Sequence, residues 1–260
     1  MVGIRREAGE GVLPLTLALS ILIGISLGLL GGGGSILTVP ILGYVAGMAP
    51  KAAIASSLVV VAITSAVGVI PHARAGRVMW RTGVLFGGAG MVGAYAGGRI
   101  SLLFPARALM IAFGVMMVVT AIAMLRRASQ HPQVHVPREA KLGPALVQGF
   151  FVGIVTGLLG VGGGFVIVPA MVLLGGLAME YAVGTSLVVI AMNSLAGFVG
   201  HIGDAQIDWA TTLAVSGVAA VGAWLGGRLV GRIDPAILRK AFGILVIIVA
   251  VVVLVKELGS

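Results

Sequence analysis

The sequence predicts an all-α polytopic membrane protein made of two inverted-topology repeats, with about ten helical segments and glycine-broken helices. Three observations carry this prediction. Hydrophobic residues make up 59% of the 260 residues and charged residues only 10%, far from the composition of a soluble domain. The mean hydropathy is +1.16. Finally, the two halves of the chain repeat each other at a spacing of 129 residues.

Apolar segments follow one another along the chain, separated by short polar or glycine-rich breaks. Most are close to the ~20 residues that a helix needs to span a bilayer. They do not alternate apolar and polar residues over ~10-residue strands, which disfavours a transmembrane β-barrel. The segments cover residues 13–30, 36–48, 52–71, 82–103, 107–125, 142–159, 165–178, 182–200, 210–227 and 236–255.

Charge and cysteine content limit the functional classes. The net charge of +9 would suggest nucleic acid as a partner of a soluble protein, but in a membrane protein basic loops set the topology, so we expect no nucleic-acid partner. The chain has no cysteine, which excludes disulfides and thiol catalysis. Arg5 and Arg6 precede an apolar run without a clear small-residue cleavage site, so we assign that run to the first membrane helix.

The repeat defines the domain organisation. Residues 28–114 align with residues 157–243 without a gap, and the matched blocks extend well beyond the glycines. We predict a first transmembrane repeat at 1–125, a cytoplasmic linker at 126–141 and a second transmembrane repeat at 142–260. The blocks are GLLGGGGSILTVP (28–40) with GLLGVGGGFVIVP (157–169), SSLVVVA (56–62) with TSLVVIA (185–191), and GAYAGGR (93–99) with GAWLGGR (222–228).

Loop charge gives the two repeats opposite directions. Residues 72–81 carry Arg74, Arg77 and Arg81 without an acidic residue, whereas residues 201–210 carry two aspartates and no Lys or Arg. Because short cytoplasmic loops collect basic residues, these equivalent loops are expected on opposite sides of the membrane. An inverted pair needs an odd number of crossings per half. Five crossings per half satisfy this requirement. Three also satisfy it if the two segments around each glycine run form a re-entrant hairpin. We favour five.

The glycine runs interrupt apolar segments where a helix should be most regular. Non-helical backbone at membrane depth is tolerated where it is buried in protein or lines a cavity. Helices starting at Ser35 and Phe165 would direct free N–H groups and positive dipole ends at the breaks, which suits a small anion. The alternative is tight helix packing by small residues. The predicted binding glycines are Gly31, Gly32, Gly33, Gly34, Gly160, Gly162, Gly163 and Gly164.

Neutral polar side chains inside the apolar segments complete the predicted site. Ser35, Ser56, Ser57, Thr185, Ser186 and Asn193 could donate hydrogen bonds to the substrate. Hydrogen bonding between helices, or back to the helix itself, is the alternative role for these side chains. No Asp or Glu lies well inside an apolar segment, which favours a small anionic substrate over a cation.

Other residues have mainly structural interpretations. We expect His72 and His201 at the membrane interface, with gating as the alternative role. Trp80 and Trp209 fit an aromatic belt. Arg99 and Arg228 either snorkel to the interface or attract anions to two entrances. The paired glycines in 93–97 and 222–226 suit close helix contact within one chain, and more weakly a homodimer face.

With the paired glycine blocks and the SSLVVV and TSLVVI segments in place, the sequence resembles the sulfite exporter TauE/SafE family of membrane anion permeases over nearly its whole length. The resemblance implies a transporter, typically an exporter, of small sulfur-containing anions such as sulfite, thiosulfate or organosulfonates. It also implies a multi-pass protein of the bacterial cell inner membrane that binds its substrate at Gly31 to Ser35, Gly160 to Gly164 and the adjoining Ser/Thr residues.

Two other classes remain open at this point. A passive anion channel, or a carrier of other small organic anions, would share the composition. An enzyme would need a nucleophile, a metal cluster or an acid pair, and the four histidines form no ligand constellation with carboxylates. We therefore expect no enzyme activity, no cofactor and no metal, with the lipid bilayer and a small anion as partners.

Overall fold

The computed structural model describes residues 4–128, 142–159, 163–173, 176–201, 207–230 and 233–258. All regular structure in these ranges is helical, and the ten predicted segments correspond one by one to ten α-helices. The helices are α1 (Ile4–Leu30), α2 (Gly33–Pro40), α3 (Pro50–Arg74), α4 (Trp80–Ser101), α5 (Ala106–Ala128), α6 (Leu142–Leu159), α7 (Gly164–Leu173), α8 (Met179–His201), α9 (Trp209–Leu229) and α10 (Pro235–Leu258).

Several of the described helices have the length and surface of membrane spans. Four of those described are long and apolar enough to cross a bilayer: Leu13–Leu30 within α1, together with α3, α8 and α9. Large apolar side chains are exposed around the bundle, such as Val92 on α4 and Val255 on α10. Such a surface is stable against lipid and unusual against water. The chain is therefore an all-α, multi-pass membrane protein.

The short helix α2 ends in an irregular turn. Pro40 is its last residue and has no N–H to donate, and a π-helical turn, Ile41–Val45, follows it directly. The Ala46 N–H closes this turn on the Ile41 carbonyl at 2.9 Å. The 8-residue helix and the 5-residue turn together extend about 20 Å, less than a bilayer core.

The two halves of the chain interlock. Helix α1 packs along α9, and its equivalent α6 packs along α4; α3 contacts α9 just as α8 contacts α4. The equivalent pairs α3 with α8 and α5 with α10 also contact each other. Most of the packing thus joins one half to the other. The domain limits at 125 and 142 remain a prediction, and residues 129–141 of the linker lie outside the described part.

The central helices α3 and α8 run antiparallel. A Cβ atom at Gly68 would lie 3.6 Å from Leu187, and one at Gly197 would lie 3.6 Å from Leu58. The two contacts are equivalent, because Gly197 lies 129 residues after Gly68 and Leu187 lies 129 residues after Leu58. The two equivalent helices therefore cross head to tail.

Two glycine-rich contacts, which we call the glycine seams, bring helix backbones from the two halves into direct contact. One seam joins α1 to α9 and the other joins α6 to α4. A Cβ at Gly24 would overlap the Ala219 carbonyl oxygen on α9, and one at Gly153 would overlap the Gly90 carbonyl oxygen on α4. The paired glycines within 93–97 and 222–226 contact backbone of α6 and α1 in the same way. Their contact within one chain is confirmed. The homodimer remains a prediction, and these glycines are already covered within the chain.

Candidate functional site

The starts of α2 and α7 meet in the middle of the molecule. A Cβ at Gly164 would lie 2.6 Å from the Gly32 Cα and 3.0 Å from the Ser35 Oγ. Ser35 and Gly164 are equivalent at the 129-residue shift, so equivalent positions of the two halves contact each other. The structure thus brings one glycine break from each half into contact. This statement covers the residues of the two breaks that the structure describes.

Backbone conformation explains why glycine occupies the turns. Gly31 has φ +70° and Gly163 has φ +75°, a left-handed conformation that residues with a Cβ rarely adopt. Each turn leads directly into a helix, α2 at Gly33 and α7 at Gly164. Helix α2 begins two residues earlier than the sequence predicted, and α7 begins one residue earlier. Gly160 and Gly162 lie outside the described residues.

The two helix starts present polar backbone to the same place. The N-cap residue Gly32 has no side chain to accept a hydrogen bond from the first N–H groups of α2, and these N–H groups have no intrahelical acceptor. In α7 the Val166 and Ile167 N–H groups both bond to the Gly163 carbonyl at 2.9 Å. Both helices direct the positive end of the dipole towards their contact. This arrangement favours negative charge between them.

Helix α8 covers this contact on one side. A Cβ at Gly31 would lie 2.7 Å from the Ser186 Oγ, and one at Gly164 would lie 2.9 Å from the Ile190 Cδ1. Gly31 to Ser35 and Ser186 therefore form one contiguous cluster with Gly164. We call this cluster the glycine crossing.

The predicted hydroxyl donors are buried and mostly engaged. Ser35 donates to the Gly32 carbonyl at 2.7 Å, Ser57 to Ile54 at 2.7 Å and Ser186 to Val183 at 2.8 Å. A serine has one hydrogen to donate, so each must leave its backbone acceptor before it can donate to a substrate. The Ser56 Oγ is buried without a hydrogen-bond partner in the described structure.

The structure places Thr185 and Asn193 against α4. The Thr185 Oγ1 accepts a hydrogen bond from the Met79 N–H at 3.0 Å, at the start of α4. The Asn193 amide lies beside Gly90, with its Oδ1 2.5 Å from where a Cβ would be. Both amide atoms of Asn193 are buried and have no hydrogen-bond partner among the described residues. Thr185 thus has a structural contact, whereas Asn193 keeps an unused donor and acceptor.

Sequence reasoning missed Thr156 on α6. A Cβ at Gly163 would overlap the Thr156 side chain, which is buried beside the second glycine turn. Its hydroxyl donates to the Gly153 carbonyl at 2.9 Å. A difference between the two halves could have pointed to this residue, since the equivalent position in the first half is Leu27.

His72 and His201 are buried inside the protein, not exposed at a membrane interface as the sequence predicted. The His72 Nε2 lies 2.9 Å from the Gly28 carbonyl oxygen, three residues before the first glycine turn. The His201 Nε2 lies 2.9 Å from the Ser101 Oγ. The side chains of Trp80 and Trp209 are about half exposed, as an aromatic belt requires. Arg228 stacks on Trp224, with its guanidinium carbon 3.5 Å from the ring centre.

The start of α9 carries a fixed negative charge. The Thr211 hydroxyl donates to Asp208 at 2.6 Å and the Thr211 N–H donates at 3.2 Å. These hydrogen bonds hold the pKa of the Asp208 carboxyl below its ordinary value. The carboxylate is therefore ionised at neutral pH, where it also complements the helix dipole.

Comparison with known proteins identifies the family. The sequence model described as "Sulfite exporter TauE/SafE" matches residues 16–253. A "Probable membrane transporter protein" of Xylella fastidiosa strain 9a5c is 33% identical, with 92% of this chain and 94% of the relative covered. The "Probable membrane transporter protein YunE" of Bacillus subtilis is 28% identical, with 86% and 89% covered. No solved structure gives a significant match. The chain belongs to the sulfite exporter TauE/SafE family of membrane transporters.

Proposed function

We propose that this protein exports small sulfur-containing anions, such as sulfite, thiosulfate or organosulfonates, across the bacterial inner membrane. The substrate binds at the glycine crossing, near the middle of the bilayer. One observation carries the proposal: the starts of α2 and α7 converge at Gly32, Ser35 and Gly164. The description of the family as sulfite exporters supports sulfur oxyanions as the substrate class.

The chemistry of the crossing suits an anion. Two helix starts offer N–H donors and partial positive charge, each worth about 0.3–1 kcal/mol at an exposed helix end and up to about 2 kcal/mol when partly buried. The polar side chains of the crossing, Ser35 and Ser186, are neutral hydroxyls. An inorganic cation would lack a carboxylate ligand among the described residues of the crossing.

Burial favours a carrier over an open pore. Ser35, Ser57 and Ser186 are each 0% exposed, so these described side chains do not contact water in this conformation. A substrate gains access only if helices move. Such gating of one element against another is how secondary transporters with inverted repeats work.

Inverted topology is part of the proposal. The antiparallel crossing of α3 and α8 supports it, because equivalent helices that both span the bilayer must then span it in opposite directions. The predicted distribution of basic loops agrees with this geometry.

Substrate binding to purified protein tests the function. We expect saturable binding of sulfite, thiosulfate or a small sulfonate, with a carboxylate of equal charge binding more weakly and Na⁺ or K⁺ showing no saturable binding. Isothermal titration calorimetry in detergent provides the affinity. Saturable cation binding without dependence on any anion would contradict the proposal.

Single cysteines test the topology, because the natural chain contains none. Ala75→Cys at the end of α3 and Ala210→Cys at the start of α9 both change exposed alanines. We expect an impermeant maleimide to label them from opposite sides of sealed vesicles, and to label both after permeabilisation. Labelling of both from the same side would refute inverted repeats while leaving anion binding as a separate question.

A further inference from the structure

A cleft of about 270 Å³ opens between the ends of α3 and α9. Three arginines line it: Arg74, Arg77 and Arg228. Among its described lining residues there is no carboxylate. We propose that this basic cleft binds a small sulfur or phosphorus oxyanion, such as a sulfonate, sulfite or phosphate group, and loads it from one side of the membrane towards the glycine crossing. The loading role rests on the proposed transport function.

Charge in the cleft exceeds what helix capping needs. The Arg77 Nη1 donates to the Val230 carbonyl at the end of α9, a usual role for a basic residue at a helix C-terminus. Two helix C-termini contribute about half a negative charge each. Three guanidinium groups therefore leave an excess of about two positive charges. That excess matches a sulfur or phosphorus oxyanion.

Two of the three guanidinium groups are held in place. Arg77 is anchored by its bond to Val230, and Arg228 is stacked on Trp224, which also lines the cleft. Each anchored group keeps further N–H donors, since a guanidinium carries five. Groups held before binding lose less conformational entropy when the anion arrives. Planar guanidinium forks also match the paired oxygens of sulfonate and phosphate groups.

His72 connects the cleft to the part of α1 that leads into the glycine crossing. Gly227 lines the cleft, and a Cβ there would lie 3.3 Å from the His72 Nε2. The same nitrogen lies 2.9 Å from the Gly28 carbonyl oxygen. Gly28 is one helical turn before Gly31, where the crossing begins. His72 and one turn of α1 therefore lie between the cleft and the first residue of the crossing.

The positions that align with the cleft in the internal repeat carry fewer basic residues. At the 129-residue shift, Gly203 and Gln206 replace Arg74 and Arg77, and only Arg99 matches Arg228. The aligned positions therefore carry one basic residue where the cleft carries three. This asymmetry gives loading a direction that the internal repeat by itself would not supply.

Tryptophan fluorescence provides a local test. A Trp80→Phe/Trp209→Phe background leaves Trp224, beside Arg228, as the single tryptophan. In nanodiscs of phosphatidylcholine alone, we expect inorganic sulfate and methanesulfonate to change its emission saturably. Arg77→Gln, which copies Gln206, should raise the Kd by about tenfold or more, as expected for one charged hydrogen bond. Arg74→Gln tests the same charge without removing the bond to Val230.

The control and the outcomes separate the explanations. Arg99→Gln removes an equal charge at the opposite end and should leave the Trp224 titration unchanged. A response to phosphatidylglycerol but not to sulfate would make the cleft a lipid-headgroup site and overturn the loading role. No response to either would overturn the site itself. A saturable Trp224 response in a protein that transports no anion would retain the cleft and refute the proposed function.

Discussion

The substitution Gly164→Ala is expected to weaken anion binding by about tenfold or more and to lower transport accordingly. The new methyl group would lie 2.6 Å from the Gly32 Cα and 3.0 Å from the Ser35 Oγ, so the starts of α2 and α7 must separate. Overpacking of this kind costs about 1–3 kcal/mol, and the part of this cost that falls on the anion-bound arrangement of the two helix starts raises the Kd about tenfold per 1.4 kcal/mol. Calorimetric titration of the folded variant with sulfite and thiosulfate measures the loss.

The matched control is Gly217→Ala on α9, where a Cβ would meet no described atom within 4 Å. We expect this variant to bind and transport like the parent. Both variants must elute as monodisperse protein before they are compared. If folded Gly164→Ala binds these anions with the parent's affinity, the glycine crossing is only a packing contact and the substrate binds elsewhere.

Valine in either glycine seam is expected to prevent stable folding. At Gly24 and Gly153 a Cβ would overlap a backbone carbonyl oxygen of the facing helix, and backbone cannot rotate away as a side chain can. We expect a cost of about 3 kcal/mol or more, a large part of the stability of a typical domain. Thermal unfolding and size-exclusion chromatography in detergent will detect it.

The two seam variants should behave alike, because Gly24 and Gly153 make equivalent contacts at the 129-residue shift. Gly88→Val is the control, since a Cβ at this position on α4 has open space around it. Equal stability of Gly24→Val and the parent would mean that α1 and α9 do not pack at backbone distance. Instability of only one seam variant would contradict the equivalence of the two halves.

The positions of the helices could be predicted from the sequence, whereas most of their pairing could not. Apolar run length and turn residues determine where a membrane helix begins and ends, and all ten segments are found. A helix that is apolar on every side, however, does not indicate which face meets which neighbour. The paired glycines in 93–97 indicated a close contact. They did not indicate that α6 would be the partner.

The candidate site was predictable to a similar extent. Duplication of the glycine run, together with opposite loop charges, led to the expectation that the two breaks converge, and Gly32 and Gly164 do meet. The sequence could not show that Thr185 accepts a hydrogen bond from Met79 or that Asn193 faces Gly90. Those contacts depend on how α8 is rotated against α4, which no local pattern encodes.

The glycine seams also determine the order in which the protein can be assembled during synthesis. Helix α1 is made first, but α9, which covers Gly24, begins about 180 residues after α1 ends. At roughly 5–20 residues per second, α1 waits on the order of ten to forty seconds with its glycine face against lipid or the insertion machinery. Helix α4 waits a much shorter time for α6. The nascent chain therefore completes the α4–α6 seam first, and closure of α1 on α9 is a late step of biogenesis.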